Sequence, residues 1–510
     1  MRAVARPPLS LRGSINTSTK LAPAALAAGP KMSTRTLTLH DIVTVQPDET
    51  RMTFRNEPFR FSSPNDAIDA MLAALALGAL ARHAESELID ASASIGRILF
   101  ADLRADRDSP SFDYSVVDGY AVRSTDFAPL MRSDAHAATQ SPHNSFDVRV
   151  VGESRIGRAP PPWPTSLIDP VTIRISTGAP IPPGADLVIK REDVVEQEIG
   201  AVPEAGASRD PTVAKISVPV ALATSLKARH NIRFAGENCR SGDVVLRAGE
   251  RLTSASLAAL AAIGVARPPV FPRFRVAIIS TGDELTPTDQ TPSHFQIRDS
   301  NLPALASLFA SRSWAHVVLA SHVADDLTRL VDELANASRA ADAILLTGGV
   351  SMGHRDPVRK ALEAAFGERL QVLFHGLPQR PGKPMLGAIV SRPAASPIPL
   401  FGLPGNPVSA LVTARRIAIP VLARCAGLAF LPPSVRIALA HTDERTLDLW
   451  WHRPVEIAPN GLATLIDLRG SGDLIACAHS HGFVEVPPNT TINRAGDDSP
   501  SMLKYFPWND

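Results

Sequence analysis

The chain has 510 residues, of which 45% are hydrophobic and 20% are charged, and its formal net charge is +1. This is the composition of an ordinary soluble globular protein, and the length exceeds what one hydrophobic core can organise, so about three or four domains are expected. The near balance of charge gives no indication of binding to nucleic acid or to a membrane surface.

The cysteine content indicates a reducing compartment. Three cysteines, Cys239, Cys425 and Cys477, are scattered without a Cys-x-x-Cys pair, which argues against structural zinc and against a disulfide framework. No apolar run approaches the roughly 18 residues that a membrane-spanning helix requires. We therefore expect a cytoplasmic protein.

Residues 1–40 contain no acidic residue and are rich in Ala, Pro, Ser and Thr. Such a segment is typical of a transit peptide, or it is a disordered tail that follows a misassigned start, with Met32 as the true initiator. The second interpretation is favoured, and residues 1–63 are assigned to a disordered N-terminal extension. The role of residues 1–40 stays open between these alternatives.

A helical pattern begins at Pro64. Apolar residues at positions 68, 71, 72, 75 and 79 fall on one helix face, and Ser63 or Asn65 is available as the N-cap. A second helix is predicted from Thr253 to Ile263. Segments 64–105 and 222–273 are predicted to form one discontinuous linker domain on either side of an insertion.

The insertion, residues 106–221, is predicted to be a β-rich domain. Its candidate strands are Asp147–Gly152, Val171–Ser176, Asp186–Lys190 and Ala214–Val218, separated by Pro and Gly. Two small polar loops stand out, one at Asp118-Gly119 and one at Thr177-Gly178. Taken alone, Asp118 is more typical of a turn residue than of a catalytic one.

From residue 274 to residue 427, strands and helices alternate as in a parallel α/β domain. The predicted strands are Arg275–Ser280, His316–Ser321 and Ala343–Thr347, and the predicted helices are Leu302–Arg312, Asp326–Arg339 and Pro357–Phe366. Because the carboxyl ends of parallel strands lie at one sheet edge, the loops after these strands are expected to converge. After Gly427, short strands and turns predict a small β-barrel-like domain over residues 428–510.

The loop after the third strand of the α/β domain has little side-chain bulk. Its small residues are Thr347, Gly348, Gly349 and Ser351. Backbone N–H groups of such a loop can approach an anion closely. Asp356 precedes Pro357 as the cap of a helix whose positive dipole end faces the loop. The pattern fits an anion site, and it equally fits a Gly-rich loop without a ligand.

Charged loops are expected at the same sheet edge. They carry the carboxylates of Asp283, Glu284, Asp325 and Asp356 and the cations of Arg380 and Lys383. Carboxylates beside phosphate-binding loops typically hold Mg²⁺, and the structural alternative is that they cap helices. Asn406-Pro407 is predicted to cap and open a helix that runs toward Leu422. No Ser-His-Asp motif or Walker lysine loop is present, so phosphoryl, nucleotidyl or oxyanion transfer is favoured over acyl transfer.

Seven short motifs occur in order along the chain. They are Ser115-Val-Val-Asp118-Gly-Tyr-Ala, Ser176-Thr-Gly-Ala-Pro, Ser280-Thr-Gly-Asp-Glu-Leu, Ile297-Arg-Asp-Ser-Asn301, Thr347-Gly-Gly-Val-Ser-Met-Gly, Pro381-Gly-Lys-Pro and Gly402-Leu-Pro-Gly-Asn-Pro407. From about Pro64 onward the chain resembles the MoeA family of molybdopterin molybdenumtransferases, whose catalytic domain also occurs in the plant molybdenum insertase and as the E domain of gephyrin. The resemblance implies a four-domain, elongated homodimer with a shared active site. It also implies Mg²⁺-dependent insertion of molybdate into adenylyl-molybdopterin, with release of AMP and molybdenum cofactor.

The resemblance assigns site residues by position. The expected catalytic residues are Asp118 and Thr177 in the β-rich domain and Glu284, Asp325, Asp356 and Lys383 in the α/β domain. Glu284, Asp325 and Asp356 are the expected metal ligands, and which of them bind Mg²⁺ stays open. The expected substrate-binding residues are Thr347, Gly348, Gly349, Ser351, Arg380, Gly382, Pro404, Gly405 and Asn406.

Two positions depart from the family pattern. Asn238 stands where many members carry Asp after Gly-Glu, so no carboxylate role is carried over to it. Arg380 stands where many members carry Lys, which keeps the charge and changes its geometry.

Two alternative functions stay open at this point. A molybdopterin adenylyltransferase would share the α/β fold but would leave the motifs at Asp118 and Thr177 unexplained. A non-enzymatic molybdopterin-binding scaffold is the other alternative, although the chain has no extra interaction domain and no long linker. If the chain is the insertase, its substrate is expected to be handed over by a molybdopterin adenylyltransferase. The sequence does not distinguish molybdate from tungstate or identify the enzyme that receives the product.

Overall fold

The computed structural model describes residues 59–79, 85–126, 145–164, 170–198, 213–349, 357–393 and 395–509. Its helices are α1 (Pro64–Ala79), α2 (Val220–Ser225), α3 (Ser254–Ala262), α4 (Asn301–Ala310), α5 (Leu327–Ala340), α6 (Pro357–Phe366), α7 (Pro407–Thr413), α8 (Ile419–Cys425) and α9 (Leu474–Cys477), with short 3₁₀ helices at Ala91–Ala93, Arg191–Asp193 and Gly367–Arg369. In the described ranges, no helix is long and apolar enough to cross a membrane. The predictions for residues 1–58 lie outside these ranges.

Helix α1 begins as the sequence predicts, with Ser63 as its cap. Ser63 Oγ accepts a hydrogen bond from Asp66 N at 3.3 Å, and Asp66 Oδ2 accepts one from Ser63 N at 2.9 Å, a reciprocal capping pair. The preceding residues also contact the α/β domain, because Arg60 donates to the Leu373 carbonyl and Phe61 packs edge-on against Phe374. Residues 60 and 61, although assigned to the disordered extension, therefore make ordered contacts.

Short two-stranded pairs surround the β-rich insertion. The strands of this half of the chain are β1 (Glu87–Leu88), β2 (Leu103–Arg104), β3 (Tyr114–Ser115), β4 (Gly119–Val122), β5 (Ser145–Ser154), β6 (Val171–Ile175), β7 (Leu187–Lys190), β8 (Val195–Glu198), β9 (Val213–Pro219), β10 (Ile232–Arg233), β11 (Val244–Leu246) and β12 (Pro269–Val270). β1 pairs with β12, β2 with β11 and β3 with β10, all antiparallel. Segments before and after the insertion therefore meet.

The insertion contains a six-stranded sheet in the order β7-β4-β6-β5-β9-β8. Every neighbouring pair is antiparallel except β5 and β6. Val148, Ile173 and Ile189 are buried at its core. The four strands predicted for this region are confirmed, and β4 and β8 were not predicted.

The α/β domain contains a second six-stranded sheet. The remaining strands of the chain are β13 (Phe274–Thr281), β14 (Leu285–Thr286), β15 (Ile297–Arg298), β16 (Ala315–Val323), β17 (Ala343–Thr347), β18 (Leu370–His375), β19 (Gln379–Arg380), β20 (Leu386–Arg392), β21 (Ala395–Leu403), β22 (Val435–Ala438), β23 (Trp450–Ile457), β24 (Ala463–Leu465), β25 (Gly482–Val486) and β26 (Met502–Pro507). The sheet order is β16-β13-β17-β21-β20-β18. The strands and helices predicted for residues 275–366 are confirmed.

The parallel order predicted for the strands of residues 275–347 is confirmed, and the complete sheet also contains one reversed strand. β16, β13, β17 and β21 are parallel, and β20 alone is reversed, because it pairs antiparallel with both of its neighbours, β21 and β18. β21 was not predicted because Pro397 and Pro399 are typical of a loop. The structure tolerates these prolines because β17 pairs only with Leu400–Leu403, beyond them.

Both faces of the sheet are covered. Ala343 and Leu345 of β17 pack into one hydrophobic cluster, with α1, α4 and α7, and Ile344 and Leu346 pack into another, with α5 and α6. Alternate residues of a strand point to opposite faces, so an all-apolar strand fits a sheet with helices on both sides.

The predicted long helix after Asn406 contains a π-helical turn. Ala414–Ala418 separates α7 from α8. Pro420 has no N–H to donate to the carbonyl of Arg416 four residues earlier, which accounts for a local departure from α-helical bonding. The helix therefore reaches Cys425, with a widened turn at its middle.

The C-terminal strands form a barrel-like ring. Their order is β19-β23-β25-β26-β22, and β24 also pairs with β23. A bridge between Leu439 and Ala463 brings the end of β22 against β24 and closes the ring. β19 belongs by sequence to the α/β domain, so it joins the two domains through its pairing with β23.

Candidate active site at the sheet edge and the adjoining cleft

The carboxyl ends of β13 and β17 form a crevice at the edge of the α/β sheet. β13 lies between β16 and β17, so the strand order reverses there, and such points are where open α/β sheets bind ligands. Gly348 lies so close to the end of β13 that a Cβ at this position would collide with the Thr281 carbonyl oxygen. Its φ of +94° is in the region that favours glycine. The close approach of the loop backbone to this crevice therefore requires glycine at position 348.

Asn301 joins the loops at this edge. Its Nδ2 donates to Thr347 Oγ1 and to the Gly405 carbonyl, each at 2.8 Å. Thr347 Oγ1 also lies 3.2 Å from the Pro404 carbonyl, to which it donates. Asn301 and Thr347 are buried. The predicted binding residues after β17 and after β21 are therefore held side by side.

Asn301 and Asp299 are positioning residues to which the sequence analysis gave no role. Asp299 is buried, accepts a hydrogen bond from Ser280 Oγ, and accepts from the N–H groups of Asn301 and Leu302 at 3.0 Å each. It therefore fixes the start of α4 against the end of β13. The sequence does indicate this role of Asp299, since Asp-Ser-Asn immediately before a predicted helix is typical of a helix N-terminus.

Glu284 and Asp325 lie at the end of β13. A Cβ on Gly282 would be 2.5 Å from Glu284 Oε2, so the Glu284 carboxylate lies over the turn that leaves the strand. Asp325 Oδ1 accepts a hydrogen bond from Thr281 Oγ1 at 3.0 Å. Asp283 Oδ1 accepts one from Asp325 N, also at 3.0 Å. The loops after β13 and β16 are thus connected as predicted.

The alternative that Asp283 and Asp325 cap helices is wrong. Asp326 caps α5 by accepting from Arg329 N, and Asp283 precedes strand β14 rather than a helix. Glu284 and Asp325 are exposed. Among the described residues, nothing donates a hydrogen bond to the Glu284 carboxylate or to Asp325 Oδ2. These oxygens are available to a cation.

The donor set at this edge fits Mg²⁺. Ser351 and Asp356 lie outside the described residues, so the third predicted ligand is not placed. Within the described part of the chain, no group of three or more His, Cys, Asp or Glu residues is arranged to hold a metal. Mg²⁺ that is shared with substrate phosphates needs only one or two protein carboxylates, which Glu284 and Asp325 supply.

A cleft of about 500 Å³ separates the loops of the α/β domain from the C-terminal ring. On the α/β side it is lined by Gln379–Pro384, Pro404, Asn406 and Ser409, and on the other side by residues that include Arg445, Trp451, His452, Arg453 and Asp467. Pro404 and Asn406 line the cleft, and Gly405 between them accepts the hydrogen bond from Asn301. One loop therefore borders both the cleft and the sheet edge.

Arg380 and Lys383 supply the free positive charge of the cleft. Both are exposed, and neither forms an ion pair with any described residue. Lys383 Nζ lies 5.3 Å from the centroid of the Phe59 ring. The cleft residues Arg445 and Arg453 differ, because both pair with Asp443. Hydrogen bonds from Arg445, and then from Arg453, hold the pKa of Asp443 far below its usual range.

Asn406 does not cap its helix through its side chain. It occupies the N-cap position of α7, but its side chain makes no capping hydrogen bond. Pro407 at the first turn removes one donor that would need a cap. Asn406 and Pro407 therefore open the helix as predicted, but without a capping hydrogen bond from the side chain, and Asn406 lines the cleft.

Asp118 and Thr177 form a separate pair in the β-rich sheet. Asp118 Oδ1 accepts hydrogen bonds from Thr177 N at 2.8 Å and from Thr177 Oγ1 at 3.3 Å. Both residues are exposed, one before β4 and one after β6. In the described portion of the chain, no hydrogen bond or ion pair joins them to the sheet edge or the cleft.

The fold is that of an α/β protein, and the sheet edge and the adjoining cleft carry carboxylates and cations of the kinds that suit phosphate-type or oxyanion ligands. The chain matches the family model "MoeA N-terminal region (domain I and II)" over residues 62–264 and the model "Probable molybdopterin binding domain" over residues 277–424. The chain belongs to the molybdopterin molybdenumtransferase family, and it is an enzyme of molybdenum cofactor biosynthesis.

Individual relatives support this assignment. The molybdopterin molybdenumtransferase of Synechococcus elongatus is 32% identical over 404 residues, which cover 78% of this chain and 90% of that protein. The protein of the same name from a Nostoc species is 31% identical over 423 residues, 81% of this chain and 88% of its own length. A crystal structure of the molybdopterin biosynthesis MoeA protein from Pyrococcus horikoshii, 24% identical, matches 87% of this chain and 99% of its own with a TM-score of 0.64, which shows the fold.

Proposed function

We propose that the chain catalyses the Mg²⁺-dependent insertion of molybdate into adenylyl-molybdopterin, with release of AMP and molybdenum cofactor. The observation that carries this proposal is the loop at residues 404–406. Gly405 is tied through Asn301 to the crevice with the carboxylates, whereas Pro404 and Asn406 line the cleft with the free cations. A reaction between a phosphate ester and an oxyanion needs both environments side by side.

The crevice is the proposed site for the phosphate end of adenylyl-molybdopterin. Gly348 brings the backbone of its loop against the strand ends, and Gly349 follows it with a φ of +57°, which favours N–H groups that can face an anion. Thr347 and Gly405 hold the neighbouring loops together. Ser351 belongs to the same loop by sequence.

Glu284 and Asp325, together with Asp356, are the proposed ligands of Mg²⁺. Bound there, Mg²⁺ would neutralise phosphate charge at the bond that releases AMP. The chain's own contribution is to hold two carboxylates in place, since Thr281 and Asp283 fix the position of Asp325.

The cleft is the proposed site for molybdate. Lys383 and Arg380 attract the dianion because no carboxylate among the described residues neutralises them. The narrow approach of the 381–384 loop to α7 depends on Gly382, where a Cβ would collide with the Thr413 methyl group. Pro404 and Asn406 complete the wall toward the crevice.

The proposed active unit is a homodimer in which Asp118 and Thr177 of one subunit complete the site of the other. Mixed and re-annealed Asp118→Ala and Asp356→Ala subunits test this. About half of the dimers would be heterodimers with one intact site of two, so roughly a quarter of wild-type activity should return. A mixture that exchanges subunits and stays inactive would rule out a shared site.

A molybdopterin adenylyltransferase is the proposed supplier, because the substrate must carry an adenylyl group before it reaches this chain. The direct transfer of adenylyl-molybdopterin from the adenylyltransferase to this chain is part of the same proposal.

The function is tested by following AMP release from purified adenylyl-molybdopterin. AMP should appear only when molybdate and Mg²⁺ are both present, and sulfate should not replace molybdate. If the chain instead consumed ATP and released pyrophosphate with free molybdopterin, it would be an adenylyltransferase. If no nucleotide chemistry occurred while molybdopterin bound, the scaffold alternative would hold.

A further inference from the structure

Residues 59–62 connect the two domains that border the cleft. On the α/β side, Arg60 Nη1 donates to the Leu373 carbonyl at 2.7 Å. On the side of the C-terminal ring, Trp450 Nε1 donates to the Ser62 carbonyl at 2.9 Å. The short segment is therefore attached to both domains.

Phe59, at the beginning of this segment, is held beside the loop that carries Lys383. A Cβ on Gly376 would lie 3.8 Å from Phe59 Cε1, so the ring lies directly over the Gly376 backbone. Gly376 N donates to the Met385 carbonyl at 2.8 Å, and Leu377 N donates to the Lys383 carbonyl at 2.9 Å. The backbone beneath the ring is thus bonded to the backbone of the lysine, and the two side chains are neighbours.

The contact between Lys383 and Phe59 is of the cation–π type. Lys383 Nζ lies 5.3 Å from the ring centroid, within the roughly 6 Å over which the face of an aromatic ring attracts an ammonium group. Among the described residues, no carboxylate pairs with Lys383 and no acceptor takes a hydrogen bond from it. The ring therefore restrains the ammonium without neutralising its charge or occupying its N–H groups.

This kind of restraint suits an anion site. A lysine has a flexible four-carbon stem, and its freedom is lost when the ammonium is immobilised on a ligand. A carboxylate partner would reduce that loss but would cancel the charge, as Asp443 does for Arg445 and Arg453 in the same cleft. An aromatic ring reduces the loss and leaves the charge available.

We propose that Phe59 is a positioning residue for oxyanion binding in the cleft, because its ring holds the Lys383 ammonium where the N–H groups can donate to the anion. The proposal rests on the proposed role of Lys383 in molybdate binding. The sequence gave no indication of it, since Phe59 falls in the segment that was assigned to the disordered extension.

The contact itself is tested without a ligand. The chain has eight lysines, so full-length protein labelled with ¹³C at the lysine ε carbons gives few signals in an NMR spectrum, and Lys383→Arg identifies the signal of Lys383. The ring current of Phe59 should displace the Lys383 ε protons to high field in the wild type and in Phe59→Tyr. The displacement should vanish in Phe59→Leu, and an identical Lys383 signal in Phe59→Leu and the wild type would overturn the proposal.

Calorimetric titration with molybdate tests the consequence for binding. Phe59→Leu keeps an apolar side chain over Gly376 but removes the aromatic face, so molybdate should bind about two- to fivefold more weakly, the range expected for an exposed cation–π contact. Phe59→Tyr keeps the aromatic face and should bind molybdate as the wild type does. Phe61→Leu is the matched control, because Phe61 packs against Phe374 outside the cleft lining, and its molybdate affinity should not change.

A double-mutant cycle shows whether the ring acts through Lys383. In a Lys383→Ala background, Phe59→Leu should cause no further loss of molybdate affinity. An equal loss in both backgrounds, or wild-type affinity in Phe59→Leu, would overturn the proposal. Wild-type affinity in Lys383→Ala would remove the proposed role of the cleft and this proposal with it, even if the NMR signal of Lys383 still reported the contact with the ring.

Discussion

The sheet edge and the cleft are built by different means. The sheet edge arises within one domain, where the ends of β13, β16 and β17 are adjacent in the sheet and hydrogen bonds at Thr281 and Asn301 connect their loops. The cleft arises between domains, where the two-residue strand β19 pairs with β23. The sheet edge depends on the close approach of loop backbone to the strand ends. The cleft depends on buried charges that hold two domains together.

Removal of one buried charge beneath the cleft should have the largest effect on stability. Arg416 and Glu485 pair at 2.5 Å with side chains only 4% and 2% exposed. Arg416→Met leaves the Glu485 carboxylate buried without its cation, so unfolding free energy should fall by about 3–5 kcal/mol. Urea denaturation measures this change.

Arg329→Met is the matched control. Arg329 lies 3.9 Å from Asp326, and the two side chains are 77% and 50% exposed, so its loss should cost less than about 1 kcal/mol. Equal losses of unfolding free energy in Arg416→Met and Arg329→Met would show that buried charge does not stabilise the region beneath the cleft.

The same ion pair predicts a pH window. Burial opposes ionisation of Glu485, but the hydrogen bond from His452 and the charge of Arg416 outweigh it and lower the pKa to about 2. An unfolded Glu titrates near 4.3. Because the folded pKa is depressed, this stabilisation is present above about pH 4.3 and is lost as pH falls toward 2. Melting temperatures of wild type and Glu485→Gln should converge in that window, and curves that stay parallel would contradict the assignment.

At the sheet edge, Gly348→Ala should be the most damaging small change. A Cβ would collide with the Thr281 backbone, and the residue has a φ of +94°, so a loss of about 2–4 kcal/mol is expected. Gly405→Ala, where the nearest atom to a Cβ is Gly348 Cα at 3.6 Å, is the matched control. Denaturation of both variants measures the difference, and similar stability would mean that the loop can move away from the strand.

The sequence predicted the sheet edge better than the cleft for a physical reason. Apolar strands such as Ile344–Leu346 and the turns after them are local patterns, so the convergence of Asp325 with the end of β13 followed from parallel topology alone. The pairing of Gln379 with Trp450 has no local signature, because a two-residue strand shows no periodicity. Burial of His452 depends on that pairing. Asn301 was overlooked because its role is to join loops rather than to contact a ligand.

In the cleft, Lys383→Ala should weaken molybdate binding by about 1.5–3 kcal/mol, because a charge-assisted hydrogen bond is lost. The melting temperature should change little, since Lys383 is exposed and forms no ion pair among the described residues. Lys360→Ala, exposed on α6, is the control of the same residue type. Calorimetry that gives the same molybdate affinity for all three proteins would place the oxyanion elsewhere.

The central claim is that the sheet edge and the cleft serve one reaction with different roles. The most direct measurement is AMP release from adenylyl-molybdopterin by Lys383→Ala and Asp325→Asn, with molybdate and Mg²⁺ each raised in turn. The account predicts that excess molybdate restores Lys383→Ala but not Asp325→Asn, and that excess Mg²⁺ restores Asp325→Asn but not Lys383→Ala. Rescue of both variants by the same ion, or AMP release that is independent of molybdate in the wild type, would contradict it.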